Sequence, residues 1–172
     1  MVILGLLNYF TRRTLALNLS EQAYGFFYSA FSLITICLLI TDFGLTPSLI
    51  AFTSKYQATR EPDESGRMLQ AVLVIKTGIA LVLAISLALL WPWLQQHYFE
   101  GFAADSCFLL LAAYIIPFSL LTALRGFLRG AKAFTAAQGI FVIHGLVLFL
   151  TVFWLVNSFG VDAGGAAYLA GA

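Results

Sequence analysis

Residues 68–93 read MLQAVLVIKTGIALVLAISLALLWPW. One ionisable side chain, Lys76, interrupts an apolar run longer than the roughly 20 residues an α-helix needs to cross the hydrocarbon core of a bilayer. The run is continuous. A barrel strand would alternate lipid-facing and lumen-facing residues over about 10 positions. Lipid allows only these two solutions, because every backbone N–H and C=O must be paired without water. Trp91-Pro92-Trp93 closes the run with the ring types that gather at a membrane–water boundary. The reading for 68–93 is a transmembrane helix.

The same reading extends outward in both directions. Further spans are expected at 2–19, 25–42, 106–124 and 136–156, with a truncated one beginning at 163–172. The expected fold class is an all-α integral membrane protein. Its single domain, 1–172, has about five to six transmembrane helices. Composition agrees. Of 172 residues, 61% are hydrophobic and 10% charged, with a mean hydropathy of +0.93. Soluble domains run roughly 45–50% apolar and about 25% charged, and a soluble chain this size has too little interior to hide the excess. Between the spans, Ser20 to Gly25 reads as a polar connection. Leu45 to Tyr56 reads as an interfacial helix with Pro47 in its first turn. The polar stretch 59–67 belongs in water, 95–105 is a short loop, 125–135 a basic loop and 157–162 a tight loop. Pro117 is expected to kink its span.

The net charge of +1 and the absence of a long basic stripe exclude a nucleic-acid partner. Cys37 and Cys107 show neither metal spacing nor a disulfide framework, and read as small buried hydrophobes. Met1 leads straight into apolar residues without a basic leader or cleavage site. The chain therefore reads as starting within the first helix of a longer protein.

Basic residues set the orientation. The second loop carries Lys55, Arg60 and Arg67, and the fourth carries Arg125, Arg129 and Lys132. The third and fifth carry none. By the positive-inside rule the second and fourth loops, 44–67 and 125–135, and the N-terminal end are cytoplasmic.

No enzyme constellation is visible. The carboxylates are scattered over loops, there is no Walker A sequence, and neither a metal nor a cofactor is expected. His97 reads as a solvated loop residue. The informative residues are charges inside spans, each costing roughly 2.5–3.5 kcal/mol at a helix centre and so usually facing a bundle interior or a wet cavity. Arg12 and Arg13 either snorkel to the interface or bind an anionic substrate through their planar forks. Lys76 has the same two readings. Asp42 is an interfacial cap or partner of a nearby cation, or an ion-coupling group. His144 is a neutral imidazole bonded to another helix, or a protonatable group on a transport path. Tyr24-Gly25 and Gly44 are expected to permit sharp turns and close helix approach. Gly126 and Gly130 form a G-x-x-x-G read as packing.

Five stretches carry a resemblance. Residues 12–27 run from Arg12-Arg13 through Glu21-Gln22-Ala23-Tyr24-Gly25 to Phe27, followed by Thr41-Asp42-Phe43-Gly44-Leu45 and Lys55-Tyr56. The fourth is Leu124-Arg125-Gly126-Phe127-Leu128-Arg129-Gly130-Ala131-Lys132-Ala133-Phe134, and the fifth is the small-residue stretch Gly160 to Ala167. Together, in this order, they resemble the amino-terminal region of Wzx-like polysaccharide-transport flippases of the multidrug/oligosaccharidyl-lipid/polysaccharide exporter superfamily. Where that family often has an Arg seven residues before the Tyr, this chain has Leu17, and its basic pair lies about a turn earlier. The resemblance implies an amino-terminal fragment, most of one six-helix lobe, of a two-lobe transporter in the cytoplasmic membrane. Such a protein turns a polyprenyl-pyrophosphate-linked oligosaccharide across the bilayer by alternating access, without nucleotide. It also implies membrane lipid and polysaccharide polymerase or glycosyltransferase machinery as partners. Arg12, Arg13 and Lys76 would be the cavity cations. Two other readings remain: a cation-coupled drug or small-molecule exporter of the same superfamily, and a non-transporting membrane subunit.

Overall fold

A computed structural model describes residues 2–18, 20–60, 62–99 and 105–159. Its elements are α1 (Val2–Asn18), α2 (Glu21–Asp42), α3 (Leu45–Thr59), α4 (Pro62–His97), α5 (Asp105–Gly130) and α6 (Phe134–Phe159). Among the described residues there is no strand. Glu21–Thr59, Asp63–His97 and Leu111–Gly130 are long and apolar enough to cross a membrane. The 26 residues of α6 contain no Lys, Arg, Asp or Glu. The expected all-α membrane class is what the chain adopts. The span expected at 163–172 lies outside the described residues.

Helix α5 is the hub, packing against α2, α3, α4 and α6, while α1 lies chiefly on α6. Helix α4 shows how one face is chosen. Val72, Lys76, Ala80, Leu87 and Trp91 are buried at helical spacing, whereas Val74, Val82, Ile85 and Leu89 are left uncovered by protein. An apolar exterior is stable only against lipid, so the stretch 71–94 of this helix is apolar on its outer faces and carries one charge, Lys76, on its inner face.

Several helices overrun their apolar stretches. The Ser20–Gly25 connection is not a loop. Ser20 caps α2, its hydroxyl accepting from the Ala23 N–H at 3.3 Å, and Glu21 to Gly25 form the first turns. Part of 59–67 is also helical, because α4 starts at Pro62 and carries Asp63 and Glu64 in its first turn, where carboxylates suit the dipole. At 36 residues α4 is about 54 Å long, well beyond a ~30 Å core. The basic loop 125–135 shrinks to Ala131–Ala133, with Arg125 to Gly130 completing α5. His97 ends α4 rather than sitting in a loop. Its ring stacks on Trp93 at 5.0 Å and its Nδ1–H donates to the Trp93 carbonyl at 3.0 Å.

The turn between α2 and α3 is sharp. Phe43 has φ 27° and Gly44 φ 80°, a left-handed state glycine enters without steric penalty. Gly25 does not fit the same expectation, since a Cβ there would meet nothing within 4 Å. Pro47 sits in the first turn of α3, where its missing N–H costs nothing. Helix α3 is not a free interfacial helix. It packs on α4 and α5, and the G-x-x-x-G sets how closely. A Cβ on Gly126 would fall 2.7 Å from Thr46 Cγ2, and one on Gly130 2.7 Å from Thr53 Cβ and 2.9 Å from the Ile50 carbonyl oxygen. The Ser54 hydroxyl then donates to the Gly130 carbonyl at 3.0 Å.

At the opposite end the core is aromatic. Trp91 stacks on Phe108 at 4.3 Å, and Phe26 meets Phe99 at 4.8 Å. Trp91 is only 6% exposed and Trp93 58%, so Trp93 alone of the two is placed for an interfacial ring. Cys37 is buried and free.

Candidate functional site

Lys76 is 0% exposed, yet its ammonium is fully served. Nζ donates to Asp42 Oδ1 at 2.6 Å, Thr46 Oγ1 at 2.9 Å and Thr122 Oγ1 at 3.0 Å. An ammonium has three donors and no acceptor, so all three protons are used. The acceptors come from α2, α3 and α5, and Lys76 from α4. Four helices therefore meet at one charge.

Each partner is arranged to accept. The Thr46 hydroxyl donates to Asp42 Oδ1, and the Thr122 hydroxyl donates to the Ser119 carbonyl at 2.8 Å. Both therefore turn lone pairs toward Nζ. Asp42 ends α2 and Thr46 opens α3, four residues on, so the Phe43-Gly44 turn folds them onto the same lysine. The charge pair is neutral as a unit, and charge-assisted hydrogen bonds of this length are the stronger kind. Asp42 keeps a 36% exposed side chain.

Two cavities meet at Asp42 and Thr122. One, of about 170 Å³, is lined by Asp42, Thr46, Thr122, Arg125, Gly126 and Arg129. The other, of about 380 Å³, is mostly apolar and includes Phe31, Thr35, Leu38, Tyr114 and Phe118. Both share Asp42 and Thr122.

The remaining sequence-derived residues sit apart from the pair. Arg12 and Arg13 are uncovered on α1. The Arg12 guanidinium lies 5.8 Å from the centre of the Tyr28 ring, within cation–π range. His144 is half-buried, with Nε2 3.3 Å from the Tyr114 hydroxyl and the rings of Phe118 and Phe141 about it. Tyr114 lines the larger cavity, so His144 reaches it at one remove.

Sequence reading placed Arg125 and Arg129 in a loop and gave no role to Thr46, Thr122 or Tyr114. A polar Thr122 within an apolar run and Thr46 four residues after Asp42 were the signals available. The Arg125 guanidinium lies 3.9 Å over the Phe141 ring and donates to Gln138 Oε1 at 3.4 Å.

A family model described as polysaccharide biosynthesis protein matches residues 1–172. Comparison with curated proteins and with solved structures returned no match.

Proposed function

Because this chain belongs to the polysaccharide biosynthesis protein family, we propose that it moves a polyprenyl-pyrophosphate-linked oligosaccharide across the cytoplasmic membrane by alternating access. Membership itself supports a role in polysaccharide synthesis or export, in a family of transporters rather than enzymes. The observation that carries the finer reading is this match over the full 1–172, on a chain whose intramembrane charges are mainly basic.

Arg12 and Arg13 are the residues proposed to meet the pyrophosphate. Both are uncovered in this chain, and guanidinium forks suit phosphate oxygens. Lys76 would serve the substrate only in a state that opens its bond to Asp42, since its three donors are spent here. Asp42 and His144 are the ion-coupling candidates, Asp42 because it lines both cavities and only in a state that opens its bond to Lys76. A cation-coupled drug exporter would need a free acid in its interior, and Asp42 is held by Lys76. The proposed orientation puts the N-terminal end and the ends of α3 and α5 in the cytoplasm.

The test is complementation by the full-length protein in a cell lacking its own copy, reading surface polysaccharide and membrane abundance together. Arg12→Ala with Arg13→Ala should cut export about tenfold or more at normal abundance. Full export from the Arg12, Arg13 and Lys76 alanine variants alike would remove these residues from the substrate path.

A further inference from the structure

The smaller cavity is lined by two arginines that, among the described residues, form no ion pair. Among the described residues, the carboxylates paired to a cation are Glu64, with Arg67, and Asp42, with Lys76. Arg125 and Arg129, four residues apart on α5, have none. Asp42 also lines this cavity, but its charge is already neutralised at 2.6 Å. The hydroxyls of Thr46 and Thr122 already donate hydrogen bonds to Asp42 Oδ1 and the Ser119 carbonyl. The charged donors that remain on the lining residues are the guanidiniums of Arg125 and Arg129. Arg125 is pinned by Phe141 and Gln138, and its buried Nε has no hydrogen-bond partner among the described residues. A buried donor of that kind costs energy until an acceptor arrives.

The negative end of α5 would oppose an anion here, but its carbonyls are capped. Those of Phe127, Leu128 and Arg129 accept from the N–H groups of Ala131, Ala133 and Lys132, and Gly130 accepts from Ser54. The cavity, about 170 Å³, equals roughly five to six water volumes at ~30 Å³ each, enough for a phosphate with water. Through Asp42 and Thr122 it adjoins the apolar cavity between α2 and α5. A charged compartment beside an apolar one is the outline of an amphiphile.

We propose that the Arg125–Arg129 cavity binds the phosphate of a phosphorylated lipid whose chain enters the groove beside Phe31, Thr35, Leu38 and Phe118. Basic pockets between helices at a cytoplasmic surface recognise lipid head groups in this manner. Two sources supply that chemistry: the polyprenyl cargo and a bilayer phospholipid. The site stands apart from the transport proposal, because binding is measured without transport.

The experiment is native mass spectrometry of the full-length protein in neutral detergent. It is titrated with polyprenyl phosphate, phosphatidylglycerol, uncharged polyprenol and inorganic pyrophosphate. At least one phosphorylated lipid should bind about tenfold or more tightly than polyprenol or pyrophosphate. Arg129→Gln, at a side chain left uncovered by protein, should weaken that binding about tenfold while leaving thermal unfolding unchanged. Arg125→Lys keeps the charge, loses the fork and should weaken it severalfold. Thr35→Trp should obstruct the groove and weaken the lipids without altering pyrophosphate. Preference for polyprenyl phosphate assigns the site to the cargo, and equal binding of both lipids assigns it to a resident phospholipid. Unchanged binding in both Arg variants, or polyprenol binding as tightly as its phosphate, overturns the proposal, whatever the complementation result.

Discussion

Lys76 and Asp42 differ in exposure, and that difference predicts unequal consequences. The ammonium is enclosed while the carboxylate touches a cavity. Asp42→Ala leaves a buried charge without its counter-charge, and breaking a buried pair from one side costs roughly 3–5 kcal/mol. Partial exposure of Asp42 places the expected loss near the lower end, about 3 kcal/mol. Lys76→Met leaves a carboxylate that water can reach through the cavities, and should cost less, about 1–2 kcal/mol. The double variant should lose less than the sum, since the two residues share one interaction. Thermal unfolding of the four proteins in detergent measures this cycle. Additive losses would mean that the pair contributes nothing beyond each side chain's own burial. Part of this was legible beforehand. A lysine within 68–93 marks itself as out of place, and a cation partner for Asp42 was one of the readings open. Which partner, and the two threonines that complete the set, required four helices to be brought together.

At the scale of elements, the α3–α5 contact rests on two residues without side chains. A Cβ at Gly130 meets Thr53 Cβ and a backbone oxygen, neither of which can swing aside. Gly130→Leu should therefore push α3 off α5, cost about 1–3 kcal/mol and remove the Ser54 bond. Gly78→Ala is the control, since nothing lies within 4 Å of its added Cβ, and it should be neutral or slightly stabilising. Thermal unfolding of the two variants checks the contrast, and equal behaviour would show that close approach at Gly130 is not needed. The G-x-x-x-G was legible as packing, though its partner helix was not. Helix ends were read short for a physical reason. Hydropathy reports which residues face lipid, whereas backbone hydrogen bonding continues into the polar flanks, as at Glu21–Gly25, Asp63–Arg67 and Arg125–Gly130.

For the whole molecule, Ser54 bonded to Gly130 puts the last turns of α3 and α5 at the same end. The end of α3 and the α5–α6 turn thus share one side, in keeping with the proposed cytoplasmic placement of both. Tyr98 follows α4, whose far end it marks. Single cysteines at Gln57 and Phe134, in a protein with Cys37 and Cys107 replaced by Ala, should be shielded from an impermeant thiol reagent added outside intact cells. One at Tyr98 should be labelled. Labelling of the first two and protection of the third would reverse the orientation.

From the sequence alone came the membrane class, the helical backbone, the approximate spans and the family likeness. These depend on quantities summed along the chain: apolar length against bilayer thickness, loop charge and ordered short motifs. Which face of each helix turns inward was beyond it, because in lipid both faces are apolar and the usual inside-outside contrast is missing. The tertiary structure decided that Lys76 points inward onto Asp42, Thr46 and Thr122. It also buried Trp91 while leaving Trp93 outside, and made Arg125 and Arg129 line a cavity rather than ride in a loop. The physical reason is that a buried ammonium must find acceptors, and those acceptors, distant along the chain, become neighbours only when α2, α3, α4 and α5 pack together.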